Sequence, residues 1–390
     1  MTAENAGTTT VAVIGAGPAG ATAALHLALG GLNVLLLERE ELPRDKTCGG
    51  GVVARALRHW PGVVVPEEHA CRAAEANLTT RGLVLRVERA APIVRMVSRA
   101  TLDAALVRAA SDAGARIETG RAVVALRRTA DGIELDTTRG PLRARAVVAA
   151  DGVLGKTATL AGWSDTLEAI PALEAEVPVA PELFARHSGT ARFDLDALPR
   201  GYGWIFPKRA HLSCGVGVFR RGRLELRRAL ELYLERSEIV ASGPIETKGY
   251  LIPVRPRRVV ARDGVLLVGD AAGLADPLTA EGISIAAHSA ELAARALLET
   301  RATPDRAARA YTAHLERELL GELARARLLA RLLYGSPALA HRLLAWRGRA
   351  FAEAMVAIVT GERTYRSLLR SPRAYARLIR PQRARLPANA

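Results

Sequence analysis

The stretch that most constrains this chain is Val11-Ala12-Val13-Ile14 running into Gly15-Ala16-Gly17-Pro18-Ala19-Gly20 and then into a long Ala/Leu segment. The pattern predicts a strand, a glycine turn and a helix. Gly15 permits the tight turn, Gly17 lets the backbone approach a pyrophosphate, and Gly20 lets helix and strand pack closely, so free amides at the helix start face phosphate. A second apolar run, Asn33-Val34-Leu35-Leu36-Leu37, ends in Glu38. Its carboxylate stands about 20 residues past the turn, where a ribose hydroxyl is bound. Glycines in this spacing recur in ordinary loops, but strand, helix and terminal acid together make a dinucleotide site.

Two later segments belong to the same kind of sheet. The apolar run Val147-Val148-Ala149-Ala150 ends on Asp151-Gly152, and Val265-Leu266-Leu267-Val268 ends on Gly269-Asp270. The first reads equally well as a strand-terminating turn or as a ligand-facing edge at the carboxyl end of the sheet. After the second, Asp276-Pro277-Leu278-Thr279-Ala280-Glu281-Gly282-Ile283 enters a helix to about Leu298, whose first-turn amides are free for a ligand oxygen or an anionic ring. A second distant nucleotide-type segment argues for FAD, since a nicotinamide fold does not need it.

Between these segments, Thr47-Cys48-Gly49-Gly50-Gly51-Val52 is too small to pack and predicts a loop where backbone passes close to a flat ligand. Residues 53–95 predict a short helix, a turn bounded by Pro61 and Pro66, and strands of a second sheet such as 83–87. Ser98 is the expected N-cap of a helix reaching Gly114, with Leu102 and Leu106 at helical spacing. Strands are expected at 115–118 and 121–127, with a turn at Asp131-Gly132.

Over 160–260 strands are short, and a long helix is expected at about 223–236. Here Gly201-Tyr202-Gly203-Trp204-Ile205-Phe206-Pro207-Lys208 precedes Cys214-Gly215-Val216-Gly217-Val218. Tyr202, Trp204 and Phe206 alternate and so share one strand face. Aromatics are only 4% of a chain that is 49% hydrophobic. That face is therefore either a dense core patch or the wall of an apolar pocket.

Beyond Pro304 the chain reads as helical: Pro304 to Tyr334, then from Ser336-Pro337 to about Thr360, then a last helix after Ser371-Pro372. Leu315, Leu319, Leu320, Leu323, Leu328, Leu329 and Leu332 fall mostly on one face, with Arg325, Arg327 and Arg331 on the other. This is either a helical cap over the body or a basic amphipathic surface for anionic membrane. The net charge of +15 fits an anionic partner or an arginine-rich solvated surface. Basic segments interleaved with aromatics are missing, which argues against nucleic acid. Cys48, Cys71 and Cys214 lack metal-ligand or disulfide spacing. A polar start without a basic n-region predicts no signal peptide, and no run reaches the roughly 20 apolar residues of a span. The expected place is the cytoplasm, with any membrane contact peripheral and on the inner face.

With the glycine turn, Ser98-Arg99, Asp151-Gly152 and Gly269-Asp270 in order, about 300 residues resemble the para-hydroxybenzoate hydroxylase-like flavoprotein superfamily. Within it, Thr47-Cys48-Gly49-Gly50-Gly51 and Tyr202-x-Trp204-x-Phe206-Pro207 followed by Gly215-x-Gly217 resemble the geranylgeranyl reductase family, which saturates carbon–carbon double bonds of prenyl chains. Ala280 departs from the glycine common there, and Thr47 from the proline of plant-type members. The resemblance implies an α/β (α+β) fold. A Rossmann-like FAD-binding domain (1–60, 97–160 and 262–304) is interleaved with a mixed-sheet substrate domain (61–96 and 161–261), and a helical region comes last (305–390). It implies that Gly15, Gly17, Gly20, Glu38, Arg99, Val123, Asp270, Gly282 and Ile283 hold FAD and that Cys48, Gly49 and Gly51 line the flavin face. Tyr202, Trp204, Phe206 and Pro207 would hold a prenyl-chain small molecule or lipid, and NAD(P)H or reduced ferredoxin would supply electrons.

An isolated alkene accepts hydride poorly, so reduction needs a proton on one carbon as hydride reaches the other. Cys48, or a water beside it, is the candidate for that step, with the aromatics stabilising positive charge; otherwise Cys48 is a small residue chosen for fit. The main alternative is an FAD monooxygenase hydroxylating an aromatic or polyketide. A halogenase lacks its Trp-x-Trp-x-Ile-Pro segment here. A basic membrane- or nucleic-acid-associated FAD protein without turnover is the third reading.

Overall fold

The computed structural model describes residues 8–209, 211–219 and 225–370. Strand β1 (Thr8–Ile14) passes through the glycine turn into α1 (Pro18–Leu29), and β2 (Val34–Leu37) returns beside β1. Next come β3 (Gly51–Val53), β4 (His69–Cys71), β5 (Ala73–Leu78), β6 (Leu83–Glu88), β7 (Val94–Met96) and α2 (Arg99–Asp112). They are followed by β8 (Arg116–Glu118), β9 (Val123–Thr129), β10 (Gly132–Thr137), β11 (Leu142–Ala149) and α3 (Thr157–Leu160). The chain continues through β12 (Ala169–Pro178), α4 (Pro181–His187), β13 (Thr190–Asp194), β14 (Gly201–Pro207), β15 (His211–Val218), α5 (Leu226–Arg236) and β16 (Glu246–Pro253). After β17 (Ala261–Arg262) and β18 (Val265–Leu267) it is helical: α6 (Ile283–Glu299), α7 (Pro304–Leu315), α8 (Gly321–Gly335), α9 (Pro337–Thr360) and α10 (Tyr365–Arg370).

The first sheet runs β17-β18-β11-β1-β2-β8, with β9 and β10 added beside β11, and its β18, β11, β1, β2 and β8 are parallel. Continuous aliphatic runs form these strands because helices cover the sheet and little of a strand meets water. Val11, Val13, Leu36, Val147 and Val148 are fully buried. The parallel register brings the ends of β1, β2, β11 and β18 to one edge, so the glycine turn, Glu38, Asp151 and Asp270 gather there.

The second sheet is ordered β16-β12-β15-β14-β13-β5-β6. Its alternation sorts two faces. Ala175, Val177, Ile205, Cys214 and Val216 pack under α5 with Leu230 and Tyr233. The opposite face carries Glu174, Tyr202, Trp204 and Phe206 toward the first sheet. Trp204 pairs with Gly215 and Tyr202 with Gly217. A Cβ on Gly215 would lie 2.1 Å from the Trp204 ring, so the glycine is what allows the indole to lie flat across the neighbouring strand.

Several local expectations are corrected. Ser98 occupies the N-cap position of α2, but its side chain makes no capping bond. Its carbonyl accepts the first helical bond from Leu102 N, as any N-cap carbonyl does, and a further bond from Thr101 Oγ1. The small-residue run is loop only through Gly50, because Gly51-Val52-Val53 pairs with β7. The helix expected from Pro304 to Tyr334 is interrupted by a π turn at Glu316–Leu320. An i→i+5 turn inserts a residue into the helical count and rotates the segment beyond it. Leu315, Leu319 and Leu323 are buried, but α8 then buries Ala326, Ala330 and Tyr334 while Leu328 is 62% exposed and Leu332 also faces out. Thus the leucines do not share one face. The short α10 adds a helix that the sequence pattern does not announce. Residues 223 and 224, at the start of the long helix expected over 223–236, lie outside the described residues, as does the last helix expected after Pro372. Among the described residues no helix is long and apolar enough to cross a membrane.

Candidate active site

One cavity of about 900 Å³ runs from the carboxyl edge of the parallel sheet to the aromatic face of the second sheet. At the first end, each glycine of the turn is fixed by a different neighbour. Gly15 has φ +100°, and a Cβ there would meet Ala150 O at 2.6 Å. On Gly20 it would meet Gly15 O at 1.8 Å, so Gly20 acts through helix–strand packing and lies outside the cavity lining. Gly17 has only the tips of two guanidinium groups nearby, Arg99 Nη2 at 3.6 Å and Arg44 Nη2 at 3.7 Å from its ideal Cβ. Two cations thus stand over the N-terminus of α1, where free amides already favour an anion.

Buried carboxylates hold those cations. Arg99 makes a two-pronged bond to Asp103 at 2.9 and 2.9 Å, and Arg44 reaches Asp103 at 3.2 Å and Glu38 at 3.3 Å. Burial works against the Arg99 charge, but Asp103 outweighs it and holds the guanidinium above its usual range. Glu38 itself accepts from Ala16 N at 2.8 Å, tying the end of β2 to the glycine turn. Arg44 went unrecognised in the sequence, where it is one charge in a polar loop.

Further along the edge, Val123, Asp270, Gly282 and Ile283 all line the cavity. Asp270 is pushed up by burial, against the pull of Lys46 and Arg99, and accepts a 3.4 Å bond from Tyr250. The Lys46 ammonium lies 3.6 Å from the centre of the Tyr250 ring. Burial lowers Lys46, with Arg99 adding repulsion. Asp151 lines the cavity and also accepts from Thr157 N and Oγ1 at 2.8 Å, so it serves as wall and turn at once.

The loop before β3 separates the two ends. Cys48 is half-buried; its amide donates to Glu174 Oε1 at 2.9 Å and its sulfur accepts from Gly50 N at 3.4 Å. Gly49 faces Trp204 and Phe206, where a Cβ would sit 3.2 Å from both rings. Gly51 stands against Val94. Trp204 Nε1 is buried with no hydrogen-bond partner among the described residues. An orphaned donor at the junction, a cation-flanked glycine turn and a backbone stripped of side chains fit a flat ring joined to a pyrophosphate.

Tyr202, Trp204 and Phe206 form the wall of the second end, while Pro207 pairs with Leu212 and lies outside the lining. Leu278, Tyr334, Phe351 and Met355 close the opposite side. Tyr334 stacks on Phe219 at 3.8 Å and donates to Leu278 O at 3.0 Å, so its polar tip is satisfied and its ring remains available as wall. Glu174 also went unrecognised in the sequence. It is 6% exposed, and burial lifts its carboxyl to about 7. The signal was there in Ala172-Leu173-Glu174-Ala175-Glu176-Val177, an apolar strand with two carboxylates at alternate positions.

An FAD binding domain family matches residues 8–183. The chain is 34% identical over 307 residues to digeranylgeranylglycerophospholipid reductase 1 of Methanopyrus kandleri, an alignment covering 74% of this chain and 80% of that protein. The chain belongs to the geranylgeranyl reductase family. Digeranylgeranylglycerophospholipid reductase 2 of Methanothermobacter thermautotrophicus is likewise 34% identical, over 74% of this chain and 77% of its own length. A geranylgeranyl bacteriochlorophyll reductase-like protein of Thermoplasma acidophilum has the same fold, with TM-score 0.77, 22% identity and 96% of both chains covered. This member of the geranylgeranyl reductase family is an FAD-dependent oxidoreductase.

Proposed function

We propose that the chain saturates carbon–carbon double bonds of a geranylgeranyl-type prenyl chain. The observation that carries this reading is the continuity of one cavity from the cation-flanked glycine turn to a wall of Tyr202, Trp204 and Phe206. An unbranched polar substrate would leave that wall unpaired, whereas a prenyl chain covers it and excludes water.

Bound FAD, once reduced, would supply hydride to one alkene carbon. In this reading Gly15, Gly17, Arg44 and Arg99 hold its pyrophosphate, Glu38 its ribose, and Val123 its adenine end. Asp270, Gly282 and Ile283 would hold it together with Cys48, Gly49 and Gly51, which would line the flavin face. The aromatic wall holds the chain and stabilises positive charge at the carbon that will accept hydride. Cys48 faces the same junction and supports the proton step there. Residues 1–60, 97–160 and 262–304 are assigned to FAD, 61–96 and 161–261 to substrate, and the described part of 305–390, residues 305–370, to a helical cover.

The cover suggests where the substrate comes from. Leu328, Leu332, Leu339, Leu343 and Trp346 are exposed on α8 and α9, and Arg331, Arg342 and Arg349 are exposed among them. Such a surface suits peripheral contact with the anionic inner face of the membrane by a cytoplasmic protein. NAD(P)H or reduced ferredoxin would serve as donor.

The test is anaerobic. Dithionite-reduced holoenzyme mixed with geranylgeranyl diphosphate or a prenylated lipid extract should reoxidise its flavin and give products heavier by about two hydrogens per step. Flavin that stays reduced until oxygen enters, followed by an oxygenated product, would establish a monooxygenase instead.

A further inference from the structure

We propose that Glu174 is the acid that gives the proton for alkene reduction, and that Lys208, Glu176 and His211 resupply it from the surface. This rests on the prenyl-reductase reading and assigns that reaction's proton source.

The geometry is a row across the second sheet. Lys248, Glu174, Gly215, Trp204 and Phe193 are cross-strand neighbours, so their side chains share the cavity face. Gly215 contributes no side chain, and the Trp204 indole lies over it, which leaves the carboxyl of Glu174 beside the apolar wall. Its Oε1 accepts from the Cys48 amide at 2.9 Å, placing it at the junction where the cofactor and substrate ends meet. A carboxyl that only stapled the Cys48 loop would not need to open onto the cavity, yet Glu174 does.

More polar groups lie farther along the same strand face, toward the surface. Glu176, two residues along the same strand face, lies 2.5 Å from Lys208 Nζ and 2.7 Å from His211 Nε2. Lys208 is 6% exposed, while the His211 side chain is 31% exposed and meets solvent. Ser213, opposite Glu176 on β15, is fully buried with an Oγ that has no partner among the described residues. The charged groups around Glu174 are thus Lys208 and His211 from the β14–β15 turn and Glu176 on its own strand. Lys248 faces it from β16, and Asp45 and Cys48 from the loop before β3.

These surroundings suit the two carboxyls to different tasks. Burial raises Glu174 to about 7, with Glu176 adding to the rise against the pull of Lys208. Burial also opposes ionisation of Glu176, but His211 and Lys208 outweigh it and hold that group low. One carboxyl therefore keeps its proton near neutrality, and its neighbour stays ionised as a relay. In the step, the O–H bond of Glu174 breaks as a C–H bond forms at one alkene carbon. Hydride supplied by the reduced cofactor forms the second C–H bond and brings the electron pair. The alkene is reduced, the cofactor is oxidised, and the Glu174 carboxylate recovers its proton from solvent through the Lys208–Glu176–His211 line.

The test compares wild type with Glu174→Gln and Glu176→Gln. The side-chain carbonyl introduced by Glu174→Gln can still accept from the Cys48 amide, but that side chain carries no acidic proton. Infrared titration of the protein without cofactor should show a carboxylic acid band disappearing as pH rises through about 7, and Glu174→Gln should lack it. In holoenzyme, Glu174→Gln should keep its FAD but reoxidise with prenyl substrate on the order of 100-fold more slowly. The wild-type rate should fall as pH rises through about 7. In Glu176→Gln the midpoint should move down, because a neighbouring negative charge is gone. An unchanged rate and pH profile in a folded, FAD-loaded Glu174→Gln would overturn the proposal, as would an infrared titration unaffected by that substitution. Failure of wild type to reduce any prenyl chain would instead overturn the prenyl-reductase reading, and the proposal resting on it. The infrared band would separately decide whether Glu174 is a neutral acid.

Discussion

The two ends of the cavity both depend on glycine, for opposite reasons. At the dinucleotide end, a side chain on Gly15 or Gly20 would strike main-chain oxygen, which cannot move without unfolding the turn. At the aromatic end, a side chain on Gly215 would strike the ring of Trp204, and one on Gly217 would crowd the ring of Tyr202. There glycine makes room for another residue's side chain instead of for main chain. Rigid backbone complementarity serves an invariant cofactor, and a repackable side-chain wall serves a flexible hydrocarbon.

Substitution should separate the two. The largest effect is expected at Gly20→Ala, whose Cβ would lie 1.8 Å from Gly15 O. Such a clash should cost about 4 kcal/mol or more and abolish flavin retention, read as the flavin-to-protein absorbance ratio and by denaturant unfolding. A stable, yellow Gly20→Ala would show the turn to be as adaptable as the wall.

Glu174 gives a pH-dependent contrast within the junction. Its folded carboxyl is raised from 4.5 to about 7, so the acid form favours folding and the stability it contributes is lost as pH rises between those values. Glu174→Gln should match wild type in acid and exceed it by about 3 kcal/mol above neutrality. Unfolding curves at several pH values would show it, and parallel stability profiles would place the carboxyl in a solvated setting.

At the wall, Gly215→Ala should cost about 1–3 kcal/mol and displace the Trp204 ring, because overpacking can be relieved by side-chain movement. FAD should stay bound while prenyl-dependent reoxidation slows. Equal loss of cofactor and turnover would erase the distinction between the two ends.

The smallest effect has the opposite sign. Ala280 has φ +56°, a left-handed conformation that costs a residue with a Cβ. Ala280→Gly should stabilise the chain by about 0.5–1 kcal/mol, measured by thermal unfolding. Destabilisation would show that the methyl packs more than it strains.

Legibility in the sequence divides along the same line. The glycine turn, Glu38 and the apolar runs ending at Asp151 and Asp270 are local patterns, and parallel pairing only brings their ends together. The alternation of Tyr202, Trp204 and Phe206 shows a shared face but cannot say whether that face meets protein or cavity. That depends on α8 and α9, more than a hundred residues away in sequence. Arg44 and Glu174 escape a sequence reading because their meaning comes from distant partners, Asp103 for one and the Cys48 amide for the other. Ser98 stands at the N-cap position the sequence expects, but its hydroxyl makes no capping bond.

The π turn at Glu316–Leu320 carries a consequence for how this surface can change. Each residue advances a helix by about 100°, so the surface of α8 is an address counted from that turn. Deleting one residue inside the π turn would let it close to an α turn and leave that address unchanged, whereas deleting one just beyond it would revolve the rest of the segment. Leu328 and Leu332 would then leave their outward places to other residues. A single codon's loss would thus be silent at one place in the helix and would rebuild its outer surface a turn later.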